Sequence, residues 1–148
     1  MSVFDVLGAT ATIIQFIEYG IKFGGKAIAV YNGGSQFADL NQTTKDFQQT
    51  NEAFKANLQL RSTGPDSGEE VLLKIAEECR QTAEELTQLI GRLSMKQGER
   101  SRWKALKSTI IIEYKKKGVS TLQGKLELRR QRCHEQLTIM IRYVFSSF

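Results

Sequence analysis

Apolar residues recur along this chain at alternating steps of three and four, the spacing that lays one stripe down a helix. The most regular run is Leu72, Ile75, Cys79, Thr82, Leu86, Leu89 and Leu93, in which only Thr82 is polar. It predicts a helix over about 67–94. Asp66 or Ser67 is placed to cap it, and Glu69 and Glu70 suit the positive end of its dipole. Phe37, Leu40, Thr44, Phe47, Asn51, Phe54 and Leu58 repeat the pattern over about 35–60. Thr44 and Asn51 dilute this second stripe, so one partly solvated side is expected. Trp103, Leu106, Ile110 and Tyr114 predict a further helix over about 99–117, and Leu122, Leu126, Cys133, Leu137, Met140 and Val144 another over about 119–146. Between these two, Lys115, Lys116 and Lys117 followed by Gly118 read as a helix C-terminus, with cations at the negative dipole end and then a capping glycine. Ile110, Ile111 and Ile112 are β-branched and in isolation favour a strand. Charged helical flanks and the lack of any partner strand favour helix.

The first segment, about 2–31, has a different pattern. Twelve residues from Val6 to Ile17 carry no charge, and Phe4, Leu7, Ile13, Ile14, Phe16, Ile17, Ile21 and Phe23 are spread widely around a helix. Six of the chain's twelve glycines fall in its first 34 residues. A glycine in a helix interior costs roughly 0.8–1 kcal/mol relative to alanine, so this helix depends on its packing. A helix apolar on all sides is either central in a bundle or in contact with lipid. The uncharged run is too short to span a bilayer, which takes about 20 residues. Asp5, Glu18, Lys22 and Lys26 also argue against an ordinary transmembrane helix.

Together these stripes predict an all-α fold, an elongated four- to five-helix bundle forming one domain over 1–148. The chain has one proline, Pro65, which agrees with long uninterrupted helices. No secretory leader is evident, and the apolar periodicity still running at Val144, Phe145 and Phe148 leads us to expect a longer protein. The two cysteines, Cys79 and Cys133, are distant in sequence and match no redox or ligand spacing, so no disulfide framework and a reducing, cytoplasmic setting are expected.

The net charge of +5 is unevenly distributed. Residues 1–64 are neutral, 65–95 carry −4 and 96–148 carry +9. The basic third suggests an anionic partner, and two clusters stand out: Arg100, Arg102, Lys104 and Lys107 around Trp103, then Lys115, Lys116 and Lys117. Basic residues beside anionic lipid contribute about 1 kcal/mol each, and tryptophan favours the membrane interface. The plainer alternative is a solvated face whose field the acidic third helix partly cancels. Nucleic acid is not the expected partner, because no helix-turn-helix or finger pattern is present.

Gly20-Ile21-Lys22-Phe23-Gly24-Gly25-Lys26-Ala27 nearly matches a phosphate-binding loop, but Ala27 stands where Ser or Thr would hold magnesium and no strand precedes it. The Gly20-x-x-x-Gly24 spacing is better read as a close helix approach. His134 is the only histidine, and no nucleophile has a recognisable base. Glu77, Glu78, Glu84 and Glu85 are most simply solubilising residues. No catalytic residue, metal site or cofactor is expected, and a non-enzymatic role follows.

Three blocks carry a family resemblance. They are Val3-Phe4-Asp5-Val6-Leu7-Gly8 with Ile13-Ile14-Gln15-Phe16-Ile17 and Gly20-Ile21-Lys22; Ile75-Ala76-Glu77-Glu78-Cys79 with Ala83-Glu84-Glu85-Leu86; and Arg102-Trp103-Lys104-Ala105-Leu106-Lys107 with Lys115-Lys116-Lys117 and Leu122-x-x-x-Leu126. In order and spacing the chain resembles the HeLo-like N-terminal domains of fungal NOD-like (STAND) receptors over nearly its whole length. Such domains are similar in architecture to the four-helix bundle of the mixed-lineage kinase domain-like pseudokinase and to the coiled-coil domains of plant resistance proteins. The resemblance implies an effector of programmed cell death in non-self recognition, joined to a downstream NACHT domain and a repeat-built sensor. It implies homo-oligomerisation on activation and relocation from cytoplasm to plasma membrane. On this reading Val3, Phe4, Val6, Leu7, Ile13, Ile14, Phe16 and Ile17 form the membrane-inserting helix. Asp5 and Glu18, about 3.6 turns apart, would face a pore or another subunit, and the two basic clusters would contact anionic lipid. The alternative is a protein-interaction and oligomerisation module without membrane activity.

Overall fold

The structure, a computed structural model, describes residues 3–33, 37–61, 67–91 and 109–146. These form four helices and, among the described residues, no strand: α1 (Val3–Tyr31), α2 (Phe37–Arg61), α3 (Ser67–Gly91) and α4 (Thr109–Ser146). The chain is an all-α bundle. Side-chain contacts fix its course. Phe16 stacks on Phe54 while Phe23 stacks on Phe47, so α2 runs antiparallel to α1. Glu18 reaches Arg130, and the position of Gly24 faces Gln123, so α4 also runs against α1. Glu78 meets Arg132 and Gly118 faces Leu89, so α4 runs against α3 as well. The helices therefore alternate up, down, up, down, with α1 in contact with the other three.

The α3 stripe is buried at Leu72, Ile75, Cys79, Thr82 and Leu86, and it widens to include Ala76, Ala83, Thr87 and Ile90. Thr82 and Thr87 fit an apolar seam because each hydroxyl donates to the carbonyl one turn back, on Glu78 and Ala83. The α2 stripe is more complete than its composition suggests. Thr44 and Asn51 are both buried rather than solvated. Thr44 Oγ1 donates to Leu40 O at 2.7 Å, whereas Asn51 Oδ1 has no hydrogen-bond partner among the described residues.

One expected boundary is absent. No helix ends at Lys115–Gly118; α4 continues through Gly118 without a positive φ. A Cβ there would lie 2.9 Å from Leu89 Cδ2, so this glycine lets α3 and α4 approach closely and caps nothing. Ile110, Ile111 and Ile112 lie within α4 despite the strand preference of β-branched residues. Tyr114, expected on a core stripe, is 71% exposed. Trp103 and Leu106 lie outside the described residues. Among the described residues, a glycine that does end a helix is Gly33, just past α1 at φ +83°, whose N–H donates to Val30 O.

Glycines facing open space behave differently from those at seams. Nothing lies within 4 Å of a Cβ built at Gly8 or Gly124, both inside helices. Gly8→Ala and Gly124→Ala are each expected to stabilise the bundle by about 0.5–1 kcal/mol. Urea midpoints read by circular dichroism would check this, and a loss of stability in either variant would refute it.

Candidate functional site

The first helix is two-faced. Ile13, Phe16, Ile17, Phe23, Ala27 and Val30 are buried along one side, while Ile14, Ile21 and Ile28, seven residues apart, are half-buried on its flank. The opposite side exposes Leu7, Gly8, Ala11, Thr12, Gln15, Glu18, Tyr19 and Lys22. From Ile13 to Val30 the large apolar residues other than Tyr19 thus lie on the core side or its flank, so this stretch is not apolar all round.

Side chains from α2 and α4 pack on that inner face. From α2, Phe47 stacks on Phe16, Tyr19 and Phe23 with ring centroids 5.8, 5.5 and 4.7 Å apart. Phe54 adds a 4.2 Å stack on Phe16. From α4, Leu126 and Gln123 fit where Gly20 and Gly24 have no side chain, each 2.9 Å from the position a Cβ would take. Gln123 Nε2 donates to Ile21 O at 2.8 Å, tying α4 to the backbone of α1. The stretch resembling a phosphate-binding loop is therefore continuous helix, and two of its glycines serve close packing. Thr10 is buried on α1, and its Oγ1 has no hydrogen-bond partner among the described residues. An unsatisfied buried polar group costs about 1–3 kcal/mol.

Of the eight expected membrane-inserting residues, Ile13, Phe16 and Ile17 are core, Ile14 is half-buried and Leu7 is exposed. Val3, Phe4 and Val6 belong to α1, and so does Asp5, but their side chains lie outside the described residues. Glu18 is exposed, and its Oε1 lies 3.7 Å from a guanidinium nitrogen of Arg130, which also pairs with Glu127. Exposed pairs of this kind contribute about 0–1 kcal/mol.

Of the two basic clusters, the structure describes the second. Arg100, Arg102, Lys104 and Lys107 lie outside the described residues. Lys115, Lys116 and Lys117 are consecutive on a helix and so fan around it by about 100° per residue. Lys116 pairs with Glu113 at 3.2 Å. Further along α4, Glu78 from α3 receives Arg129 and Arg132 at 2.9 and 3.0 Å. Arg80 similarly binds Glu77 and Glu84 at 2.8 and 2.9 Å, and its hydrogen bonds hold the Glu77 carboxyl below its usual range. The acidic helix therefore neutralises part of the basic one, and three of the four glutamates expected merely to solubilise are engaged in ion pairs. Sequence spacing could not find the Glu78 clasp, because its partners lie more than 50 positions away.

An open groove of about 480 Å³ lies between α3 and α4, lined by Glu85, Leu89, Tyr114, Lys117 and Leu122 among others. Among the described residues no cluster of His, Cys, Asp and Glu could hold a metal ion, and no helix is long and apolar enough to cross a membrane. Comparison of the chain with family models, curated proteins and solved structures finds no match.

Proposed function

We propose that this chain is a HeLo-like cell-death or immune-signalling effector domain of a fungal receptor, which oligomerises and permeabilises membranes through its first helix. The observation that carries this reading is the construction of α1. Its apolar face is continuous from Ile13 to Val30, its first turns are uncharged from Val6 to Ile17, and it is held by glycine seams and stacked rings with few polar ties. A helix with one apolar face inserts shallowly at the lipid interface rather than spanning the bilayer.

The energetics require a trigger. Ile13, Phe16, Ile17, Phe23 and Val30 are all buried. Exposing five such side chains costs roughly 8–15 kcal/mol at about 1.5–3 kcal/mol each. Lipid burial and contacts between subunits must offset that loss, so a lone molecule keeps α1 in place. Downstream receptor domains, a NACHT domain and a repeat sensor, would control the trigger, and anionic lipids and further copies of the chain would be the partners. No catalytic residue or cofactor takes part.

Dye release from anionic liposomes, under conditions that drive oligomerisation, tests the proposal. The intact chain is expected to release dye, and a variant lacking residues 1–23 is expected to lose that activity. No release by the intact chain, or equal release by both, would overturn it.

The complete burial of Ile17 and the stacking around Phe16 and Phe23 favour a second reading, an interaction module in which α1 never leaves. Hydrogen exchange separates the two. Protection of α1 equal to that of α3 supports the module, and earlier opening of α1 supports release.

A further inference from the structure

The two cysteines, distant in sequence, share one seam. Both are completely buried and belong to the same core cluster. Cys79 is seven residues before Leu86 on the inner stripe of α3, and Cys133 is seven after Leu126 on that of α4. The antiparallel register brings them to one level, because the neighbouring Glu78 contacts Arg132 and Arg129. Cys133 is also near enough that a charge on it disfavours ionisation of Cys79.

We infer that Cys79 and Cys133 are a redox-sensitive pair that closes to an intramolecular disulfide across the α3–α4 seam when a peroxide reaches it. One thiolate attacks the peroxide. An S–O bond forms, the O–O bond breaks, and the departing oxygen leaves as water after protonation. The second thiolate then attacks the sulfenic sulfur, forming the S–S bond and releasing the hydroxyl as a second water. Two thiols lose two electrons and two protons, and one peroxide becomes two waters.

The closed bundle suppresses this chemistry. Burial pushes Cys79 up to about 12 and Cys133 up to about 11, which leaves little thiolate at neutral pH. The Glu78 ion pairs with Arg129 and Arg132 lie beside the pair on the seam. When the seam opens, the desolvation that raises Cys79 is relieved and peroxide can reach its thiolate; reclosure then brings Cys133 back to the sulfenic sulfur. The pair therefore reports opening between α3 and α4, and it stands independently of any membrane activity. Disulfides in a reducing compartment are typically of this transient, sensing kind.

The experiment treats the full chain with hydrogen peroxide at neutral pH, blocks remaining thiols by alkylation and maps peptides by mass spectrometry without reductant. A peptide linking Cys79 to Cys133 within one molecule, reversed by dithiothreitol, is the expected product. Glu78→Ala is expected to form it several-fold faster. Sulfinic acid at either cysteine without the link, links only between molecules, or no reaction would each overturn the inference. The readout is made on the wild-type chain, so it does not depend on a cysteine variant folding.

Discussion

Phe47→Ala is expected to destabilise the bundle by about 4 kcal/mol, from the roughly 3–5 kcal/mol range for truncating a buried phenylalanine. Phe47 is fully buried and stacks on three rings of α1, and the Gly20 position lies against its ring. The cavity would open where α1 and α2 meet and could not easily collapse, because Phe16 is also stacked on Phe54 and Phe23 is buried within the core cluster. For a domain of this size about 4 kcal/mol corresponds to a fall of roughly 8–16 °C in melting temperature. Urea and thermal denaturation would measure it. A loss under about 1 kcal/mol would mean that the stacked cluster does not anchor α1. The substitution also bears on function. It weakens the hold on the helix proposed to leave, so dye release under oligomerising conditions is expected to rise while global stability falls. An interaction module would show only the second effect.

The local pattern revealed the helices better than their ends. The α3 stripe is legible because Leu72, Cys79 and Leu86 repeat every seven residues with Ile75 between the first two, and all four are buried. The same reasoning misleads where a residue's neighbours come from another helix or its hydrogen bond from its own. Gly118 after three lysines has the local chemistry of a C-cap, and only Leu89, from another helix, shows that it is a packing site. Asn51 and Thr44 looked solvated by residue type. Thr44 becomes compatible with the core by bonding its own helix, which periodicity does not reveal. The candidate site was legible only in part. The glycines of α1 were recognisable as a close approach, but not the identity of Leu126 and Gln123 as the groups that fill it. The acid–base pairing of Glu78 with Arg129 and Arg132, and the placing of Cys79 and Cys133 in one core cluster, arise from the register of two helices, which no local spacing encodes.

The Gly24–Gln123 contact also supplies the sharpest test of helix release, because a deletion of residues 1–23 removes Ile13, Phe16, Ile17 and Phe23 from the core and disturbs the whole bundle. A Cβ at Gly24 would lie 2.9 Å from Gln123 Cγ, the place a cysteine sulfur at 123 would occupy. A disulfide sets each Cβ about 3 Å from the far sulfur, so Gly24→Cys with Gln123→Cys is well placed to bond α1 to α4. Formation of the bond removes the tight contact that a lone side chain at 24 would suffer. The native thiols are buried and little ionised, so a mild oxidant meets the new pair first. The oxidised double variant is expected to keep its helical content, gain stability and lose dye release from anionic vesicles. Reduction with dithiothreitol is expected to restore release in the same sample. Undiminished release by the locked chain would show that α1 acts without leaving α4, and the release mechanism would fall while membrane activity stood. Because the locked and unlocked states differ by one covalent bond, the comparison isolates the movement of α1 from folding, charge and oligomer formation.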